Sequence, residues 1–117
     1  VTDRAHGTLQ VFALDGTYKE TIPGFGLPAN VDTLGGLMLV PELKACVTLL
    51  DEKNQVVARL GRAVERLDEI KDLRKQPDKW LDGQFVHPHD ACFAPTGEIF
   101  VAEWVETGRV TKLEKIA

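Results

Sequence analysis

Residues 85–93 read FVHPHDACF and hold two of the chain's three histidines. His87 and His89 flank Pro88, and Asp90 follows at once. Neutral imidazole is the commonest nitrogen ligand of protein-bound metals, and a carboxylate beside it suits a hard cation or a supporting role. In an extended chain, residues two apart point to the same side, so His87 and His89 could chelate one ion. Each has a plain alternative. His89 would serve as a strand-entry histidine bonded to a backbone carbonyl, and His87 as a solvated residue at a loop boundary whose φ is restrained by Pro88. Asp90 either binds calcium or caps the neighbouring backbone. Arg4, in TDRAHG, has the planar fork that clamps a substrate carboxylate, or else pairs with Asp3 on the surface. His6 reads as an exposed turn residue. The chain contains no serine and no G-x-S-x-G, so no nucleophile elbow is present.

These side chains must be held by something, and the chain repeats itself. LQVFALDGTYKETI (9–22) aligns without gaps on VTLLDEKNQVVARL (47–60). Each is an apolar strand, a polar turn and a second apolar strand. Asp15-Gly16 and Lys53-Asn54 supply residues that tolerate the positive φ of tight reversals. A third copy begins at VTKLEK (110–115). LPANVDTLGGLMLVPE (27–42) pairs with HPHDACFAPTGEIFVAE (87–103) after one gap, setting Pro28 on Pro88 and Glu42 on Glu103. In this alignment His89 stands where the other copy has Ala29, and Asp90 where it has Asn30. The scaffold therefore has no need of an imidazole there. Glu103 and Trp104 repeat the pattern at Glu42, which predicts packing and pairing for them.

Four strands per roughly forty residues is the unit of a β-propeller blade. The expected fold is thus all-β: about three blades of a larger propeller ring, which the family resemblance given below puts at six, forming one partial domain over 1–117. Its parts are blade remnants at 1–24, a full blade at 27–61, an insertion at 62–80 and a further blade at 85–117. Val64, Leu67, Ile70 and Leu73 at three-residue spacing predict an amphipathic helix near 62–76, ended by Pro77. The first strand of a blade lines the central channel, where ligands usually sit. The chain opens without an initiator methionine, in what reads as the end of a strand, so further sequence is expected upstream. The alternative is self-association of copies to complete a ring.

Composition excludes several functions. Fourteen basic residues against eighteen acidic ones leave a net charge of −4, with no basic block to grip nucleic acid. No apolar run approaches the length that spans a bilayer. Cys46 and Cys92 match no metal spacing and read as buried thiols, with a disulfide as the alternative.

The segments VTDRAHGTLQVF, GEIFVAEW and GRVTKL resemble NHL repeats. Their order along the chain is similar to the C-terminal half of the peptidyl-α-hydroxyglycine α-amidating lyase propeller. That resemblance implies a six-bladed NHL fold in which zinc is held by three histidines from alternate blades, with a calcium nearby. It implies His89 as the last zinc ligand, Asp90 as the calcium ligand and Arg4 as an active-site arginine. It further implies a metal-dependent carbon–oxygen lyase or related hydrolase in the full-length protein, acting on a small-molecule or peptide ligand in a secreted or periplasmic setting. NHL repeats also build non-catalytic scaffolds that recognise a protein or small ligand on the ring face. Two positions depart from the lyase pattern. The family's tyrosine falls at or near Thr33, and a methionine two residues before the zinc histidine is replaced by His87.

Overall fold

A computed structural model describes residues 1–116, which form three antiparallel sheets and little helix. The first sheet joins β1 (Thr2–Asp3), β2 (Thr8–Phe12) and β3 (Tyr18–Pro23). The second is a four-stranded meander of β4 (Asp32–Leu34), β5 (Leu37–Glu42), β6 (Cys46–Leu50) and β7 (Val56–Leu60). The third joins β8 (Pro88–Phe93), β9 (Ile99–Glu103) and β10 (Arg109–Leu113). In every sheet, strands adjacent in sequence are adjacent in space.

The hairpins form for local reasons. Asp15 accepts the Thr17 N–H at 2.9 Å, and Asp51 accepts those of Lys53 and Gln55 at 2.8 and 2.9 Å. These aspartate turns bring Gly16 (φ 91°) and Asn54 (φ 59°) into the left-handed region, as the sequence predicts. The β8–β9 reversal repeats the scheme, with the Ala94 N–H on the Glu98 carbonyl and the Gly97 N–H on the Ala94 carbonyl.

The second sheet lies between the other two and is covered on both faces. Leu9 and Phe25 pack with Val40 and Leu50 on one side. Leu39 and Val47 pack with Phe85, Ala91, Ile99 and Val101 on the other. Burial on both faces explains why β5 (LMLVPE) and β6 (CVTLL) are apolar through most of their length rather than alternating, with Glu42 and Thr48 as the polar exceptions. The third sheet is covered on one face only, so β9 alternates between buried and exposed residues.

The segment after β7 departs from the single helix expected over 62–76. Helix α1 spans only Val64–Glu69, and two 3-10 turns follow at Leu73–Lys75 and Pro77–Lys79. Ile70 is extended and Asp72 is left-handed at φ 56°, which ends the α-helix well before Pro77. The physical reason is burial. Leu67, Ile70, Leu73 and Trp80 wrap around Val86 and Val105, and a straight helix would carry Leu73 past that cluster. No helix among the described residues is long and apolar enough to cross a membrane.

Candidate functional site

β8 enters its sheet irregularly. Pro88 pairs with Glu103 and Asp90 with Ala102, so two residues on β8 oppose a single step on β9. His89 is the extra residue of this β-bulge. Bulges re-aim side chains and recur beside active sites. Pro88, with no N–H to donate, suits the start of such a strand. The His89 side chain is exposed. The imidazole hydrogen bonds among the described residues belong to His6 and His87, and His89 has none.

Asp90 bridges two sheets. Its Oδ1 accepts the Asn30 amide at 2.8 Å and the Ala91 N–H at 2.8 Å. Of the two expected uses, the structure shows the backbone cap, made by Oδ1; no hydrogen bond among the described residues engages Oδ2. Three residues along β8, the Phe93 N–H donates to Asp32 of β4 at 2.8 Å. The first strand of the third sheet is thereby tied to the first strand of the second sheet by side chains rather than by a backbone ladder.

His87 has a different task. Its Nδ1 lies 2.6 Å from the Leu43 carbonyl in the β5–β6 turn, and since a carbonyl only accepts, Nδ1 carries the proton. The ring is half-buried and tilted against Trp104 at 6.1 Å between centroids. The carbonyl-bonded role considered for His89 is therefore filled by His87, which is pegged in place rather than solvated. The bulge also interrupts the alternation that would set the two imidazoles on one side.

Arg4 lies in the turn between β1 and β2, exposed, with its side chain in no hydrogen bond or ion pair among the described residues. Asp3 instead binds His6 Nδ1 at 2.9 Å, so the surface pair considered for Arg4 goes to His6. Arg4 lies in a turn of the first sheet and His89 and Asp90 lie on the third, with no hydrogen bond or ion pair joining them among the described residues. Thr33, in β4, is exposed. Tyr18 is on β3 with its hydroxyl 2.9 Å from that of Thr21.

Sequence reasoning placed Glu42 and Glu103 in packing roles but missed their partners. Each is a buried carboxylate at the end of its sheet's second strand. Glu42 Oε1 accepts the Gly26 N–H, and Glu103 Oε1 accepts the Val86 N–H, both at 2.6 Å. The other oxygen of Glu103 accepts from Arg109 Nε. That of Glu42 accepts from the Thr48 hydroxyl and lies 3.7 Å from the Arg59 guanidinium. An arginine on a later strand of the same sheet as each glutamate, Arg59 in VVARL and Arg109 in RVTKL, was the available signal. The two cysteines also divide. Both are free thiols, Cys46 buried and Cys92 exposed, so the expectation of burial holds for Cys46 alone. Burial, and then the Glu42 carboxylate, push the Cys46 thiol above its ordinary pKa.

Among the described residues, no three His, Cys, Asp or Glu side chains gather closely enough to hold a metal ion by themselves. His89 and Asp90 offer one imidazole nitrogen and one carboxylate oxygen, a donor pair that fits zinc or calcium but fills only part of either shell. No known protein family, curated protein or solved structure matches the chain.

Proposed function

We propose that this chain is a segment of an NHL-type β-propeller and that it contributes His89 as one ligand of a zinc site completed by residues outside 1–117. The observation that carries the reading is the bulge at His89. The chain departs from regular pairing at that residue and leaves its imidazole exposed and without a partner, while His87 beside it is anchored. The propeller reading is supported by the equal corners of the second and third sheets, where a strand-end glutamate receives the backbone N–H of the incoming chain. It is further supported by the way those sheets stack through apolar faces.

In this reading Asp90 positions the entrance of β8 through Asn30 and keeps its second oxygen for a cation such as calcium. When bound, zinc would act as a Lewis acid that lowers the pKa of a coordinated hydroxyl or water. His89 would supply the nitrogen, held by the bulge, and Arg4 would bind a substrate carboxylate if the closed ring brings it to the same face. By its resemblance, the activity would be that of a carbon–oxygen lyase or related hydrolase. A second reading, a non-catalytic NHL scaffold that recognises a protein or small ligand, is favoured by one observation. The lyase pattern's tyrosine falls at or near Thr33, and the chain's one tyrosine, Tyr18, lies on the first sheet instead.

Metal content of the purified full-length protein, with the residues outside 1–117 present, tests the proposal. Stoichiometric zinc that is lost in His89→Ala and retained in His87→Ala is the expected result. Absence of zinc from the unmodified protein, or its retention in His89→Ala, would overturn the metal reading and leave the scaffold.

A further inference from the structure

A cleft of about 320 Å³ opens between the 24–26 segment, β6, the end of β7 and the start of α1. It is separate from the His89 corner, and nothing in the proposed function uses it. Three cationic side chains line it: Lys44, Arg59 and Arg62. One carboxylate, Glu42, lies at its base, and Glu65 on α1 binds Arg62 Nη1 at 2.8 Å from the solvent side. Counting all five groups, the walls carry a net charge of 3 − 2 = +1.

The two corners that match elsewhere differ here. At Glu103, every nitrogen of Arg109 is engaged: Nε by the carboxylate, and the other two by the Leu81 and Gln84 carbonyls at 3.1 and 2.7 Å. The Trp80 ring covers that guanidinium at 5.6 Å, so the 80–84 segment plugs the space. At Glu42 the 24–26 segment supplies a single carbonyl, and among the described residues no aromatic ring covers the guanidinium. Arg59 reaches the Thr48 hydroxyl and the Gly24 carbonyl, each at 3.1 Å, and its Nε has no hydrogen bond among the described residues. Glu42 is already satisfied by Gly26 and Thr48, which leaves the long Arg59 contact as a weak claim on that guanidinium. Lys44 is in no ion pair among the described residues, and Arg62 presents nitrogens beyond the one held by Glu65.

We propose that this cleft is a binding site for a small organic oxyanion, a phosphate or carboxylate compound, held by Lys44, Arg59 and Arg62. Guanidinium forks match the paired oxygens of carboxylate and phosphate, and the ammonium adds a point charge. The volume is that of roughly ten water molecules, enough for a small metabolite and too large for a bare ion to fill. Cys46 at the wall adds no competing charge, because burial holds its thiol in the neutral form.

The test is a calorimetric titration of the protein with inorganic phosphate and, separately, with succinate, at low ionic strength against a chloride-matched control. Saturable one-site binding of either anion is the expected result. In the Lys44→Ala, Arg62→Ala double variant the affinity should fall about tenfold or more, the loss of two charge-assisted contacts. Both side chains are exposed, so the variant's urea midpoint should match the parent's. Phosphate binding alone assigns a phosphoryl compound, and succinate binding alone assigns a carboxylate. Absence of saturable binding with both anions, or unchanged affinity in the double variant, would overturn the site.

Discussion

Replacing Glu103 by alanine should unfasten the third sheet. The carboxylate side chain is fully buried, and its two oxygens are engaged by Val86, 17 residues before it, and Arg109, six residues after it. Its removal leaves the buried Val86 N–H without its acceptor, at about 1–3 kcal/mol. It also leaves Arg109, whose side chain is 18% exposed, without a counter-charge. Breaking one partner of a buried ion pair costs about 3–5 kcal/mol, and the two terms overlap because they share one carboxylate. The expected loss is therefore about 3–5 kcal/mol in all, a large part of the stability of a small domain. For a chain of this size that lowers Tm by roughly 12–25 °C. Urea denaturation followed by tryptophan fluorescence is the natural assay, since Trp80 lies over the Arg109 guanidinium. Glu103→Gln keeps an acceptor for one of the two donors and should cost about half as much. Adding Arg109→Ala to Glu103→Ala should cost less than the sum of the single losses, because the second change removes the orphaned charge. A Glu103→Ala variant within about 1 kcal/mol of the parent, or strict additivity in the double variant, would refute the buried-pair account.

Gly61→Ala should destabilise the protein by about 1–3 kcal/mol. The backbone there is left-handed at φ 58°, and an added Cβ would lie 2.6 Å from the Phe85 ring, which is visible as a lower urea midpoint with an unchanged m-value. A neutral effect would mean that Phe85 moves freely. The thiols should react unequally: one equivalent of Ellman's reagent consumed quickly at Cys92 and a second only in denaturant, with Cys92→Ser abolishing the fast phase. Because the native state holds the Cys46 proton that the unfolded chain sheds, its contribution to stability is full below the ordinary thiol value near 9. That contribution falls as pH rises from there through the raised native value, and a Cys46→Ala variant should flatten the alkaline decline.

Much of the fold was legible because its causes are short-range. Asp15-Gly16 and Asp51 with Asn54 encode their reversals within a few residues, and the aspartate carboxylates close them locally. Apolar strands of five or six residues bounded by such turns leave few alternatives to antiparallel hairpins. The helix over 62–76 was overestimated because three-residue spacing is blind to what lies opposite. The pattern of Leu67, Ile70 and Leu73 serves a bent segment around Val86 and Val105 as well as a straight helix.

The site divides along the same line. That His89 and Asp90 are special to their copy followed from the sequence alone, since Ala29 and Asn30 occupy the matching places. Which histidine is anchored did not. The acceptor of His87 lies 44 residues away, on a turn brought near only when the second and third sheets stack. The exposure of Cys92 likewise follows from its strand belonging to a sheet covered on one face, which no local pattern distinguishes from full burial. Composition and turn chemistry thus determined an all-β chain of repeated hairpins with a polar entrance to its last sheet. Tertiary packing decided which polar groups are consumed and which remain free, because a buried donor takes whatever acceptor the assembled sheets bring within about 3 Å of it.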